Sequence, residues 1–176
     1  MIGHRAGSIG LSIAALAGCC ACGYHVAGKI DTLPKSVNAI AIPAFTNITT
    51  RYKIADLLAS AMTREFISRT RYQIVSDPDQ ADAVLSGAVV NFFSYPTTFD
   101  PQTNRASAVQ AIVVLRVTLT DRKTSAVLFS RPSMEFRSNY ELSVNPAKYF
   151  DESDAAMDRL SRDVARSVVS AILANF

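Results

Sequence analysis

The sequence predicts an α+β fold: a two-layer sandwich in the order β-α-β-β-β-α, with two helices packed on one face of a mostly antiparallel sheet. Three patterns predict it. Val109, Ala111, Val113, Leu115, Val117 and Leu119 alternate strictly, which lines one face of a strand with apolar side chains. Ile54, Leu57, Leu58, Ala61, Met62 and Phe66 fall within one half of a helical wheel. Met157, Leu160, Val164, Val168 and Ile172 recur at spacings of three and four. Each pattern leaves one apolar face, and these faces bury one another in a single core.

The N-terminus comes first. A single early charge, Arg5, precedes an apolar run that closes on Leu16-Ala17-Gly18-Cys19. An apolar core followed by a small-residue site and a cysteine resembles the processing signal of bacterial lipoproteins. Residues 1–18 are therefore expected to be a signal peptide, with Cys19 as the lipidated residue and Cys22, preceded by Ala21, as the alternative. An uncleaved signal anchor and an ordinary cleaved signal are the competing readings. Against the anchor, the uncharged stretch is weakly hydrophobic, and a spanning helix needs roughly 20 predominantly apolar residues. The only cysteines are Cys19, Cys20 and Cys22. The folded domain thus has none to bridge to, and no second cluster completes a zinc site around Cys19, Cys22 and His25. No metal and no cofactor are expected. Acylation at one of these thiols would tether the chain to a membrane, because each buried methylene contributes roughly 0.8 kcal/mol and several chains together hold lastingly.

Residues 19–36 read as a tether, broken by Gly23, Gly28 and Pro34, and residues 37–176 as one α+β domain. Val37 to Ile42 alternates and is ended by Pro43, a short strand. Ala44 to Arg51 is a polar loop. Tyr52 to Thr70 is the first helix, with Asp56, Arg64 and Arg69 off its apolar stripe. Tyr72 to Val75 is a short strand, and Ser76-Asp77-Pro78-Asp79 a turn. Ala83 to Tyr95 is a long strand whose interior Gly87 marks a bulge or a close approach by another element. Pro96 to Ser107 reads as a long polar loop. Ala108 to Thr120 is the strictly alternating strand, and Asp121 to Ser125 a turn. Ala126 to Ser138 is its antiparallel partner. There the apolar positions switch from odd (Val127, Phe129) to even (Met134, Phe136) around Pro132, so a bulge or edge position is expected. The last helix begins near Asp151, with Asp151, Glu152 and Asp154 at its positive end and Arg159, Arg162 and Arg166 on its solvated side.

Composition excludes several functions. Eighteen basic and 15 acidic residues give a net charge of +3, too balanced for nucleic-acid binding. There is no tryptophan. Downstream of the signal the only histidine is His25, in the tether, so a Ser-His-Asp or Cys-His constellation would have to use it, and no phosphate-binding glycine loop is present. The chain is not expected to be an enzyme. Asp77, Asp79 and Asp82 cluster, but turn formation explains them better than a cation site. On the alternating strand, Ile112, Val114, Arg116 and Thr118 point away from the core face. That second face is less polar than a water-facing surface, which points to a partner.

Several segments carry a family resemblance. Cys22-Gly23-Tyr24-His25 resembles the opening of LptE, the lipopolysaccharide-assembly lipoprotein family. Ile40-Ala41-Ile42-Pro43-Ala44-Phe45-Thr46-Asn47 resembles its first strand and loop. Ala81-Asp82-Ala83-Val84-Leu85-Ser86-Gly87 resembles the start of its long strand, and Asp121 to Phe129 its hairpin. The second and third of these segments also recur in other envelope lipoproteins, including curli-secretion and transporter-auxiliary types. The resemblance implies a non-enzymatic subunit seated in the β-barrel LptD. It also implies a place at the periplasmic face of the outer membrane and binding to lipopolysaccharide. A transport or secretion auxiliary without a barrel partner is the alternative. Lipopolysaccharide carries phosphates and acyl chains, so cations beside apolar side chains are the expected contacts. Arg122 and Lys123 in the short turn are favoured, with Arg131 and Arg137 next and Arg105 a further candidate. Arg105 and Arg122 close opposite ends of the alternating strand, about 40 Å apart at ~3.4 Å per residue, and cannot share one phosphate.

Overall fold

The computed structural model describes residues 32–142 and 153–176. The expected signal segment, both candidate lipidation cysteines, most of the expected tether and the expected helix start at Asp151 lie outside the described residues. The elements are β1 (Ala39–Ala41), β2 (Thr46–Asn47), α1 (Lys53–Arg69), β3 (Gln73–Val75), a single 3-10 turn (Pro78–Gln80), β4 (Ala83–Phe99), β5 (Ala106–Asp121), β6 (Val127–Glu141) and α2 (Ser153–Leu173).

All six strands form one sheet in the order β3-β1-β4-β5-β6, and β2 also pairs with β4. β4, β5 and β6 are a long antiparallel meander. β1 runs parallel to β3 and to β4, and β2 runs parallel to β4. The fold class is the expected one, with both helices on one face of a mostly antiparallel sheet. The full order is β-β-α-β-β-β-β-α, and of its six strands only the two-residue β2 lies wholly in a segment read from sequence as loop.

The apolar patterns build the core as written. The odd residues of β5 from Val109 to Leu119 are buried, and so are Ile54, Leu58, Ala61, Met62 and Phe66 of α1. Leu160, Val164, Val168 and Ile172 of α2 close the same core. Burying one such side chain contributes roughly 1.5–3 kcal/mol, so these three stripes supply most of what holds the layers together. Arg69 adds a polar clasp between the helices. Its Nη1 donates to Ser170 Oγ at 2.6 Å and to Glu65 at 3.3 Å.

One expected loop is a strand. β4 continues through Pro96 to Phe99, and β5 begins at Ala106, so the connection is a short hairpin turn. Pro96 lacks the ladder donor and reads as a breaker, but it pairs opposite Val109, and register shifts around Thr98 absorb the irregularity. Around Pro132 the expectation holds. The β5–β6 register slips between Leu115 and Val117, which restores Met134 and Phe136 to the core side. β6 is also the edge of the sheet.

Candidate interaction surface

The two ends of the sheet differ in chemistry. At one end the chain enters the described structure. Thr32 Oγ1 donates to the Leu173 carbonyl at the end of α2, and Asn175 Nδ2 donates to the Leu128 carbonyl in β6. The Asp121–Ala126 turn lies at this end. Asp121 accepts from the Lys123 and Thr124 amides at 2.9 and 2.8 Å. The Thr124 amide and then its hydroxyl hold the Asp121 carboxyl below its ordinary value.

Arg122 and Lys123, the favoured cations, are engaged here. Arg122 donates to the Asp79 carbonyl at 2.9 Å and to the Asp79 carboxylate at 2.7 Å. Lys123 lies 3.2 Å from Asp82. Asp82 also accepts from the Asn38 and Ala39 amides at the start of β1. Those two amides, then Lys123, hold its carboxyl below the usual range. Asp77 caps the 3-10 turn by accepting from the Asp79 amide. The three acids read as turn punctuation thus serve as turn caps and as partners for the two cations.

The opposite end is an arm. From Phe93 to Phe99 every β4 residue is exposed. The hairpin tip is built like the other turn. Asp100 accepts from the Gln102 and Thr103 amides, and Asn104 adopts a positive φ of 53°, as Ser125 does with 57°. The Thr103 hydroxyl, then its amide, holds the Asp100 carboxyl low. Arg105 follows this turn, exposed, with no carboxylate partner among the described residues.

On the face of the arm away from the described helices, side chains line up in rows across three strands. Phe93, Ile112 and Arg137 form one row. Ile112 is only 3% exposed although no described helix covers it, and Phe93 and Arg137 are its neighbours in register. Tyr95, Gln110 and Asn139 form the next row. The Tyr95 hydroxyl donates to Gln110 at 2.6 Å, and Gln110 donates to Asn139 at 3.0 Å. Phe93 and Phe99 remain 42% and 55% exposed, an aromatic surface of the kind that interfaces use. Arg137 is paired with Glu135 at 2.6 Å. Arg131 stacks on Phe129 on the core side of β6, 4.9 Å from the ring centroid. The five candidate cations are therefore not brought together.

Residues 37–172 match the family model for LptE, lipopolysaccharide-assembly. The chain belongs to the LptE family. The match spans the whole sheet and nearly all of α2, so the arm and the Arg122 turn are both parts of the LptE domain. No curated protein matches the chain. Solved structures share the fold at low identity. Lipoprotein B from Nitrosomonas europaea is 14% identical, covering 86% of this chain and 91% of that one, with a TM-score of 0.56. The PelC dodecamer from Paraburkholderia phytofirmans is 15% identical over 83% and 94%, with a TM-score of 0.52. A protein of Xanthomonas campestris is 14% identical over 84% and 90%, also with a TM-score of 0.52.

Sequence reasoning named the Ile112 face but missed its aromatic rim, Phe93, Tyr95 and Phe99. The alternation of Phe93 and Tyr95 was the available signal, hidden by the loop reading that began at Pro96. No described helix is long and apolar enough to cross a membrane.

Proposed function

We propose that this LptE-family protein is a lipid-anchored, non-enzymatic subunit of the outer-membrane lipopolysaccharide translocon, held through Cys19 on the periplasmic face. It sits in an LptD-like β-barrel, supports the barrel's assembly and plugs it, and contacts lipopolysaccharide. The observation that carries the reading is the family match over residues 37–172. The domain division belongs to the same proposal: signal 1–18, tether 19–36, folded domain 37–176.

The geometry reorders the ligand candidates. A cation already satisfied by a carboxylate offers little to a phosphate, because its strongest hydrogen bonds are used. Arg122, Lys123 and Arg137 are in that state, and Arg131 stacks on Phe129 on the core side of β6, away from the aromatic patch. Arg105 stands beyond the aromatic patch with its guanidinium uncommitted to any described acid. It therefore becomes the first candidate for a phosphate, with Phe99 beside it for acyl chains.

Affinity isolation of the full chain from detergent-solubilised outer membrane tests the reading. A stoichiometric, large β-barrel is the expected partner. Isolation of the chain alone, or with an inner-membrane transporter, would favour the auxiliary reading instead.

A further inference from the structure

The side of β4 that faces away from β5 is a lane already used twice. β1 pairs there at Ala83 and Val84, and β2 pairs there at Ala88 and Val89, both in parallel. The last bond in the lane is the Ile48 amide to the Val89 carbonyl. Among the described residues, the β4 backbone from Asn91 to Phe99 is paired with β5 alone. Fifteen-residue β6 is the opposite edge, and it is defended in the usual ways. It carries Arg131, Glu135, Arg137 and Glu141, and Pro132 at a bulge. The open β4 edge reads Asn91-Phe92-Phe93-Ser94-Tyr95-Pro96-Thr97-Thr98-Phe99, without one charged residue. Exposed edges of this kind add strands.

We infer that the β4 edge from Asn91 to Tyr95 receives an extended segment of the barrel partner, as a strand continuing the lane of β1 and β2. The inference rests on the translocon reading and supplies its mode of contact. Main-chain hydrogen bonds give the affinity, and alternate side chains give the specificity. On the face away from the described helices the added strand packs beside Phe93 and Tyr95. On the helix side it meets Arg51, whose guanidinium lies 5.6 Å from the Phe92 ring centroid. Arg51 also lines a groove of about 220 Å³ with Tyr52, Lys53, Leu57, Asp154 and Met157. Lys53 and Asp154 pair with each other at 3.8 Å, so the fitting segment is apolar on that side, with an acidic residue opposite Arg51. A second copy of this chain fits less well, because antiparallel pairing of two β4 edges sets Arg51 against Arg51. Thr32, the first described residue, lies at the far end of the sheet, beside Leu173.

The test is amide hydrogen exchange on the full chain, free and in the isolated complex, with a photocrosslinker at Ser94. Expected are at least tenfold slower exchange over Phe92–Tyr95 in the complex and a crosslink mapped to one extended segment of the barrel. Ser94→Lys, which gives this edge the same defence as β6, lowers barrel recovery about tenfold, whereas Ser133→Lys on β6 does not. A barrel that co-isolates while the Phe92–Tyr95 amides exchange as in the free chain overturns the inference and leaves the translocon reading standing. A crosslink between two copies also overturns it. If no barrel co-isolates, both fall together.

Discussion

The Phe45 ring lies flat against the α-carbon of Gly87, leaving no room for a β-carbon. Phe45, just before β2, is buried and reaches over the middle of β4. The interior glycine of the long strand is thus a point of close approach by a neighbouring element. Gly87→Ala is expected to displace the ring and cost about 1–3 kcal/mol, the usual range for overpacking. Thermal denaturation measures it, and Phe45→Leu in the same chain should recover part of the loss. An unchanged midpoint for Gly87→Ala would mean that the ring moves freely.

The two matching hairpin turns separate by residue type. Asn104 and Ser125 both hold positive φ, where a side chain other than Asn or Asp costs roughly 1–2 kcal/mol. Ser125→Gly should therefore raise the melting temperature, and Asn104→Gly should change it little. Equal responses in differential scanning calorimetry would contradict the assignment of strain to Ser125.

Acid should loosen the end of the sheet where the chain enters. The Asn38 and Ala39 amides and Lys123 lower the Asp82 carboxyl below its ordinary 3.8. A carboxyl depressed in the folded state contributes stability that is complete above the unfolded value and lost as pH falls through the folded value. Stability should thus decline below about pH 4, and Asp82→Asn should flatten that part of the profile. Denaturant melts between pH 5 and pH 2 decide this. An identical slope in the variant would remove Asp82 from the account.

Arg105 and the Arg122–Lys123 pair should part company in ligand binding. Arg105→Ser is expected to weaken lipopolysaccharide binding about tenfold, the scale of one lost charge-assisted hydrogen bond, with folding intact by circular dichroism. Arg122→Ser with Lys123→Ser should lower stability, by breaking the contacts to Asp79 and Asp82, and leave affinity nearly unchanged. The reverse outcome would return the site to the turn.

Local periodicity made the core legible. The stripes of α1 and α2 and the alternation of β5 sit where their spacing put them, and the change of parity from Phe129 to Met134 located the bulge at Pro132. What escaped depended on partners distant in the chain. β2 is two residues long and exists only because the β4 edge receives it. Pro96 to Phe99 has loop composition, and pairing with β5 overrides it. Asp79 and Arg122 are 43 positions apart, so no local pattern announced that the most prominent cations were already engaged. Only those pairs set Arg105 apart, since no described acid pairs with it.

Lipopolysaccharide arrival at the cell surface tests the central claim most directly. Cells depleted of this protein and pulse-labelled for lipopolysaccharide should show labelled molecules retained inside the outer leaflet boundary, inaccessible to surface modification. The full-length chain should restore access, and Cys19→Ser should not. Undiminished surface labelling after depletion would contradict the assignment of this chain to the translocon.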